Sequence, residues 1–410
     1  MKHRLKGLLA LVLSLVMVFA LATNAWATVT VGGVNMGDGT TTTYYYNGTN
    51  GAQGSISDTD AGNWNAKVER INGVQTLTLN NFVYDGDHNI YSDGNLTLNL
   101  IGNNAVTYGE SGAAAVHVTG NLTIKGDNGS SLTVSGTYSI TDGIHADNVT
   151  VESGTVTAVG EKYGLSASNV NIKGGTVTAT GDEDCGIYTK EGNITISGGT
   201  VKATGEKYGI FADKGSQSSG GMKVTISGGA VTANAADNGG IGIYADGGEI
   251  AISGDNTQVT VGCATGLSAS TVNILENSTV TITTNATAPA VGKAIDATTL
   301  NFGSNWYQWS TNNPGETTPI SSATKAFALN NYGGTGQNPV PTSFTIEKIS
   351  TGGQGTVSPQ PPTYYPIYIP TVEDEPEVTT PDTFDGGIAS AVVVTILSAT
   401  GGAWLAKKKD

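Results

Sequence analysis

Acidic side chains recur at one offset in three similar segments of the sequence, and their spacing suits a divalent cation. Six residues after the threonine that opens each segment stand Glu161, Asp182 and Glu206. Ca²⁺ takes several carboxylate oxygens, often from flexible surface side chains. The three acids predict a like-charge column that either holds calcium or remains a solvated turn. The next offset holds Lys162, Glu183 and Lys207, which predicts an alternating, mutually favourable column.

A second acidic patch lies earlier in the chain, in the segment VYDGDHNIYSDG. Asp85, Asp87 and Asp93 stand close to His88 there, so the patch is a candidate metal site. It lacks the fixed loop spacing of the common calcium motif. An ordinary acidic loop is the alternative interpretation.

Aromatic residues supply the other candidate chemistry, because ring faces stack on sugars. Tyr163 and Tyr208 stand at equivalent positions in two of the repeated segments, which makes them candidate carbohydrate contacts. Trp306, Tyr307 and Trp309 cluster near the end of the repeats. That cluster is a candidate sugar-stacking platform or, alternatively, a hydrophobic plug over the last coil.

Short strands in a repeat must position these residues. The segment ISGGTVKATGEKYGIFA, from residue 196, has counterparts from residues 151, 172 and 226, and landmark glycines recur every 21 to 33 residues. Each period holds three short runs of alternating character, bounded by Gly, Asn or Asp, which predicts strands. No helical apolar period occurs between residues 28 and 380. The pattern predicts an all-β solenoid with three strands per coil.

Stacking of coils explains why the chain uses few large apolar residues. Equivalent side chains on neighbouring coils lie about 4.8 Å apart, so Val, Ile, Leu and Ala fill a thin central column. Asparagines recur at the opening of a strand: Asn95, Asn121, Asn148, Asn169 and Asn193. We expect these asparagines to bond to their copies on adjacent coils and to adopt a left-handed conformation.

The predicted β-helix occupies residues 76–300, with non-repetitive caps at 28–75 and 301–350. Residues 1–27 begin with basic residues, continue with an apolar run and end in Ala-Trp-Ala, which is typical of a secretory signal peptide. A retained membrane anchor is the alternative. Residues 351–385 are rich in Pro and acids and predict an extended linker.

The C-terminal segment, residues 386–410, predicts attachment to a surface. Residues 386–406 carry no charge, which is long enough to span a bilayer, and KKKD follows. The arrangement resembles the cell-wall sorting tail of Gram-positive surface proteins. Here TPDTF stands where those tails have Leu-Pro-x-Thr-Gly. We therefore expect an extracellular protein held by the membrane or by the wall.

The remaining reactive side chains are expected to be structural. Cys185 and Cys263 fall about three coils apart, roughly 14 Å, which is too far for a disulfide. His117 and His145 lie on strand-like runs and are expected to be satisfied wall residues. The net charge of −15 argues against a nucleic-acid partner and suits cation binding or solubility. We expect a monomer.

The run from TLTLNNFVYDGD through GNLTIKGDNG to the GGTVTATG coils resembles a known family over residues 70–300. It is similar to the right-handed parallel β-helix, carbohydrate-binding-domain proteins secreted by clostridia and related gut Firmicutes, whose fold is like that of pectate lyases. The resemblance implies a right-handed β-helix, binding of acidic polysaccharide or cellulose, and calcium sites. It assigns no site residue in this chain.

Catalysis would need further groups. Hydrolases of this fold use paired carboxylates, for which Asp182, Glu183 and Asp184 are the nearest candidates. Pectate lyase chemistry uses an Arg or Lys base, and Arg70, the one arginine after the leader, precedes the repeats. We therefore expect a non-catalytic surface β-helix that binds polysaccharide or host glycans, with calcium as a candidate cofactor. A polysaccharide lyase or glycoside hydrolase, and a structural spacer without ligand, are the alternatives.

Overall fold

The computed structural model describes most of the repeat region and a few segments beyond it. The described residues are 27–47, 54–60, 62–110, 114–127, 129–139, 141–216, 220–237, 239–275, 278–284, 293–302, 307–310, 317–319, 343–348, 392–396 and 403–407. They contain 32 strands and no α-helix. The predicted linker and all of the predicted signal peptide except Ala27 lie outside the described residues.

The strands before the repeats are β1 (Val29–Val31), β2 (Val34–Asn35), β3 (Thr43–Tyr46), β4 (Ser55–Ser57) and β5 (Ala66–Ile71). The repeats contain β6 (Val74–Asn80), β7 (Val83–Gly86), β8 (Ile90–Ser92), β9 (Leu96–Ile101), β10 (Asn103–Tyr108), β11 (Ala114–Gly126), β12 (Ser131–Gly136), β13 (Asp142–Val151), β14 (Thr155–Gly160), β15 (Tyr163–Ile172), β16 (Thr176–Gly181), β17 (Cys185–Lys190), β18 (Ile194–Ile196), β19 (Thr200–Gly205), β20 (Tyr208–Asp213), β21 (Lys223–Ile226), β22 (Ala230–Ala235), β23 (Ile241–Ile252), β24 (Gln258–Cys263), β25 (Thr265–Ile274), β26 (Thr279–Thr284) and β27 (Lys293–Phe302). The others are β28 (Tyr307–Ser310), β29 (Thr317–Pro319), β30 (Ser343–Lys348), β31 (Val392–Ile396) and β32 (Ala403–Lys407).

Successive coils pair in parallel, and each coil supplies three strand segments. In one coil these are β17, β18 and β19, which pair with β20, β21 and β22 of the next. In several other coils the first two segments join into one long strand, such as β13 or β15. The third segments form a sheet of their own that runs from β7 to β26. The predicted parallel β-helix with three strands per coil is confirmed.

Small apolar side chains stack in columns inside the coils, as the alternation predicts. Val156, Val177, Val201, Val231 and Val259 pair in register on five successive strands, and none is more than 1% exposed. Burying one such side chain contributes about 1.5–3 kcal/mol. Many thin columns of this kind replace the large aromatic core of a compact domain.

Only glycine fits at the landmark positions, because two strands approach each other closely there. A Cβ on Gly164 would lie 2.4 Å from the backbone nitrogen of Thr180, and one on Gly186 would lie 2.5 Å from that of Thr204. Gly143, Gly209 and Gly266 meet backbone oxygens of the next coil in the same way. No side chain fits there, because backbone atoms cannot yield as the end of a flexible side chain can. This is the physical basis of the repeat spacing.

The recurring asparagines form a ladder between coils. Asn148 Nδ2 donates to Asn121 Oδ1 at 2.6 Å, and Asn169 Nδ2 donates to Asn148 Oδ1 at 2.8 Å. Asn95 and Asn193 extend the ladder by accepting backbone N–H groups from the following coils. The predicted bonding is confirmed. The predicted left-handed conformation is wrong, because the non-glycine residues with positive φ are Asn72, Asn81, Glu191 and Asn256.

Antiparallel strands lie at both ends of the parallel stack. At the first coil, β5 pairs with β6 and with β3, and β1 pairs antiparallel with β8. Tyr45 and Phe82 are fully buried there and contact edge to face at 5.6 Å. At the other end β30 pairs antiparallel with β26, and β28 pairs with β30. Residues that do not repeat therefore cover the first coil at β6 and β8 and the β26 end of the third sheet.

Both cysteines are free and buried, as predicted. Burial raises the pKa of the Cys185 thiol, and burial raises the pKa of Cys263 to about 12.

The chain divides into two compact units, Met1–Thr351 and Gly352–Asp410. In the second unit β31 and β32, which fall within the predicted membrane span, pair antiparallel. Within the described ranges there is no helix of sufficient length and apolar character to cross a membrane. The rest of the predicted span lies outside them.

Candidate functional site

The like-charge turn is placed as the sequence predicts. Glu161, Asp182 and Glu206 each follow a glycine, and the three glycines pair in register on β14, β16 and β19. Asp182 and Glu206 are exposed, and Glu161 is half-buried. Where the chain is described, no three His, Cys, Asp or Glu side chains lie close enough to hold a metal ion together. The calcium site therefore stays a prediction.

The alternating column is placed as predicted on one side and gains a further acid on the other. The Glu183 N–H donates to the Glu161 carbonyl at 2.7 Å, one step after Asp182 N–H donates to Gly160, so Glu183 stands level with Lys162. Between Gly181 and Cys185 the turn holds one more residue than its neighbours, and Asp184 follows Glu183 there. The Asp184 carbonyl accepts the backbone N–H of Lys207 at 3.0 Å, and Lys207 Nζ lies 3.7 Å from Asp184 Oδ1. The ion pair with Lys207 is therefore made by Asp184.

The second acidic patch does not come together as a metal site in the described residues. Asp93 accepts hydrogen bonds from the backbone N–H and the hydroxyl of Thr28, so it holds the residue before β1 against the first coil. Asp85, at the exposed edge strand β7, and Asp87 are exposed to solvent. This patch is better explained as an acidic loop with one structural carboxylate.

One outward-facing register position forms a column along nine coils. Its members are mostly aromatic or hydroxyl-bearing: Tyr91, His117, His145, Ser166, Tyr188, Phe211, Tyr244, Ser268 and Asp296. We call it the outer column. It runs along the surface formed by β8, β11 and the strands that follow them.

Five rings form a continuous cluster in and beside the outer column. Phe211 and Tyr244 stack at 4.9 Å with their planes 10° apart, and Tyr163 stacks on Tyr188 at 4.3 Å and 9°. Tyr208, on the same strand as Phe211, stacks on Phe211 at 4.5 Å and on Tyr244 at 5.8 Å. The Phe211–Tyr244 and Tyr163–Tyr188 distances, between rings of adjacent coils, match the spacing of neighbouring strands, about 4.8 Å. These rings of adjacent coils therefore stack face to face along the coil axis.

Tyrosine hydroxyls at the margin of this cluster are neutral hydrogen-bond donors. Tyr188 donates to Asp213 at 2.9 Å, and Tyr244 donates to Asp246 at 3.0 Å. Burial, followed by the bond to Asp246, raises the pKa of Tyr244 to about 12. Burial also raises the pKa of Tyr163 and Tyr188. The phenols keep their protons at neutral pH and cannot act as bases.

One ring face remains open, on the side of Tyr244 away from Phe211. The next residue of the outer column is Ser268, which is too short to cover that face, and Asp296 follows on the coil beyond. A groove of about 320 Å³ opens at this point. Its lining residues are Tyr244, Gly247, Ser268, Ala269, Ser270, Asp296, Ala297 and Thr298. An aromatic face on one wall, hydroxyls between and a carboxylate opposite are the groups that hold a sugar ring.

A second serine gap in the outer column is filled by the protein itself. Ser166 is as short as Ser268, but Tyr163 comes from the same coil and stacks on Tyr188 beyond it. The register position of Tyr163 is occupied by Thr265 in the Ser268 coil. Ser166 is 3% exposed and Ser268 is 9% exposed, and the groove lies beside Ser268.

The predicted sugar contacts are thus only partly brought together. Tyr163 and Tyr208 do lie in one aromatic cluster, with Tyr163 covered on one side by Lys162 Nζ at 4.6 Å and on the other by Tyr188. Neither lines the open groove. Trp306 lies outside the described residues, and Trp309 lies on β28, opposite Thr318. The open ring face belongs to Tyr244, which the sequence analysis missed.

The histidines are wall residues, as predicted, and they stack with each other. His117 contacts Tyr91 at 5.5 Å and His145 at 5.3 Å, both edge to face. His145 Nδ1 lies 2.7 Å from Ser166 Oγ, and Ser166 Oγ donates to Asp142 Oδ2 at 2.5 Å. Because Ser166 is buried and its proton is engaged by Asp142, this group stabilises the wall and does not form a nucleophile.

Comparisons with known proteins support the β-helix fold and give no information on ligand or activity. The profile of the Beta helix repeat family matches residues 170–187 and 194–212. These two stretches contain β16, β18 and β19 and parts of β15, β17 and β20. Comparison with curated proteins found no match, and comparison with solved structures found none.

Proposed function

We propose that this protein is a non-catalytic surface β-helix that binds a glycan by holding one sugar ring against Tyr244. The observation that supports the proposal best is the open face of the Tyr244 ring at the edge of a hydroxyl-lined groove. Sugar rings present C–H groups to aromatic faces, and their hydroxyls bond to serine, threonine and carboxylate side chains. The described residues offer all of these at the groove.

The proposal also includes the cellular location of the protein. The leader-like segment 1–27 and the apolar, basic-tailed segment 386–410 suggest secretion and attachment to the membrane or wall of a Gram-positive-type bacterium. The proposed partners are an extracellular polysaccharide or host glycan and, through the C-terminal segment, the membrane, with no nucleic acid.

The experiment that tests the function is a binding panel with the full chain. The panel contains neutral, amine-bearing and uronic-acid oligosaccharides, with calcium and with a chelator, and the same wells are analysed for reducing ends and unsaturated products. Binding without products is the expected result, and loss of binding in chelator would add a calcium contribution. Product formation would contradict the non-catalytic proposal. Neither binding nor products would leave the structural spacer as the better account.

A further inference from the structure

We infer that the groove beside Tyr244 takes a glycan chain that crosses the coils, and that it therefore selects sugars joined by equatorial bonds. This inference rests on the proposed function and narrows its ligand class. It follows from two directions on the surface: the direction in which the open ring face points and the direction in which the groove runs.

The open face of Tyr244 points along the coil axis. Phe211 and Tyr244 are register neighbours on adjacent coils, and their rings stack at 4.9 Å with their planes 10° apart. Because the coil axis joins these two strands, rings that stack between them lie across that axis. A sugar ring stacked on the uncovered face, towards Ser268, takes the same orientation. Its mean plane therefore also lies across the coil axis.

The groove runs in that same plane, along the strands. Its floor includes Ser268 and Ser270 of β25, and its far wall includes Asp296 and Thr298 of β27. Residues two apart on a strand are separated by about 6.6 Å. The groove thus extends across the coils, in the direction that the equatorial bonds of a stacked sugar take.

A bulge in β23 borders the groove where it leaves the outer column. The pairing register of β23 with β25 shifts between Ala245 and Glu249, so three residues of β23 stand opposite Ser270. Gly247 is the middle one, and it lines the groove with a φ of 62°. Because glycine has no side chain, only backbone borders the groove at this point. The Lys214 ammonium lies beside it, 3.5 Å from the position of a Cβ on Gly247, where it can donate to the hydroxyls of a second sugar unit.

The spacing along the coil axis admits a single sugar ring. Tyr244 and Asp296 are two coils apart in the outer column, a backbone separation of about 9.6 Å. A sugar ring stacked about 4 Å from the tyrosine face lies near the middle of that gap. A second ring stacked beyond it would need about 4 Å on each of its faces, which the remaining space does not provide.

These two limits determine which linkages fit. An equatorial bond leaves a pyranose close to its mean plane, so the next unit continues along the groove or out to solvent. An axial bond leaves at a right angle to that plane, so the next unit is directed either at the Tyr244 ring or at the coil of Asp296. Chains joined through axial bonds therefore lose the stacking contact or enter the groove by a terminal unit only.

The test is a titration of the full chain with tetrasaccharides that differ in linkage. The equatorially linked set contains the β-1,4-linked tetramers of glucose, xylose, mannose and N-acetylglucosamine, and the axially linked set contains the α-1,4-linked tetramers of glucose and galacturonic acid. The tightest tetramer of the first set should bind about two- to tenfold more tightly than either of the second, the range of one aromatic contact. Equal or tighter binding of an axially linked tetramer would overturn the inference and leave the proposed function standing, whereas no binding of any tetramer would remove both.

Chain length tests the direction of the chain separately. In a series from the dimer to the hexamer of the tightest sugar, the affinity should level off at about the trimer, because one ring face is open and later units leave the coils. A chain lying along the outer column would gain contacts with each further unit. A steady rise in affinity up to the hexamer would therefore contradict a chain that crosses the coils.

Two matched variants test the path of the chain through the groove. Ser270→Leu puts a bulky side chain where the groove leaves the outer column, and it should reduce the affinity for the tightest tetramer to that of the axially linked ones. Ser168→Leu is the control and should bind normally, because Ser168 is exposed and follows Ser166 by two residues, as Ser270 follows Ser268. A Ser270→Leu protein that keeps its melting temperature and binds at full affinity would overturn the inference.

Discussion

Tyr244 and Ser268 occupy the same register position on adjacent coils, so the small serine leaves one face of the tyrosine ring uncovered. On its other side the ring is stacked on Phe211 at 4.9 Å. The stack of rings therefore ends in an uncovered ring face. In a stack of aromatic rings, most ring faces contact other rings, and only the ring at the end of the stack keeps one face uncovered.

Removing the ring of Tyr244 should weaken glycan binding. Tyr244→Ala loses the stacking face, for which we expect about a two- to tenfold loss of affinity, in the range of measured aromatic pairs. Tyr244→Phe keeps the face and loses only the bond to Asp246, so it should bind nearly as well as the natural protein. Isothermal titration of both variants measures this. Equal losses in the two would show that the hydroxyl, and not the face, makes the contact.

A bulky side chain placed in the groove should prevent glycan binding. Thr265→Tyr places a tyrosine where Tyr163 stands in the Ser166 coil, and we expect its ring to occupy the space above Ser268. Glycan binding should fall below detection while the melting temperature stays the same or rises. Thr265→Ser is the matched control and should bind normally. A Thr265→Tyr protein that folds and binds at full affinity would place the glycan elsewhere on the surface.

A methyl group at a landmark glycine should destabilise the solenoid. In Gly186→Ala the new Cβ would meet the Thr204 backbone nitrogen at 2.5 Å, and the strands must move apart, at a cost of about 1–3 kcal/mol or more in unfolding free energy. Gly239→Ala meets nothing within 4 Å and should be close to neutral. Urea unfolding of the two variants compares them directly. Equal stabilities would mean that the strands can yield without cost.

The folded protein should lose stability in mild acid partly through His117. Burial, and then the neighbouring His145, lower the pKa of His117, while Asp142 raises it less. The unfolded chain therefore takes up the proton more readily, and the stability held above pH about 6.5 falls as pH drops through that value towards the folded pKa. Replacing His117 by Phe, which suits a position between Tyr91 and His145, should flatten this part of the pH profile. Parallel profiles for the variant and the natural protein would contradict the assignment.

The sequence is sufficient to predict the coil, because each of its signals has a local cause. Alternating Val, Thr and Ala mark strands, and the landmark glycines mark a backbone contact that excludes any side chain. The register between turn residues of adjacent coils is harder to predict, since the coils differ in length. The turn at Asp182–Asp184 holds one extra residue, so Glu183 stands level with Lys162 while Asp184 pairs with Lys207.

The open ring face was missed although a simple signal pointed to it. The second residue after each landmark glycine faces outward, and these residues are His145, Ser166, Tyr188, Phe211, Tyr244 and Ser268. Reading that position would have found the outer column. Only the structure shows which ring face is covered, because that depends on how Tyr163 and Tyr208 fold back onto their neighbours.

The most direct test of the account is an NMR titration of the full chain, carrying ¹³C-labelled tyrosine, with an oligosaccharide that binds in the panel. The Tyr244 ring signal, identified by its loss in Tyr244→Phe, should shift more than that of any other tyrosine. Sugar C–H protons should move upfield as they enter the shielding region over the ring. Saturable binding that leaves the Tyr244 signal in place, or that shifts Tyr163 or Tyr208 instead, would contradict the claim that the groove at Ser268 is the site.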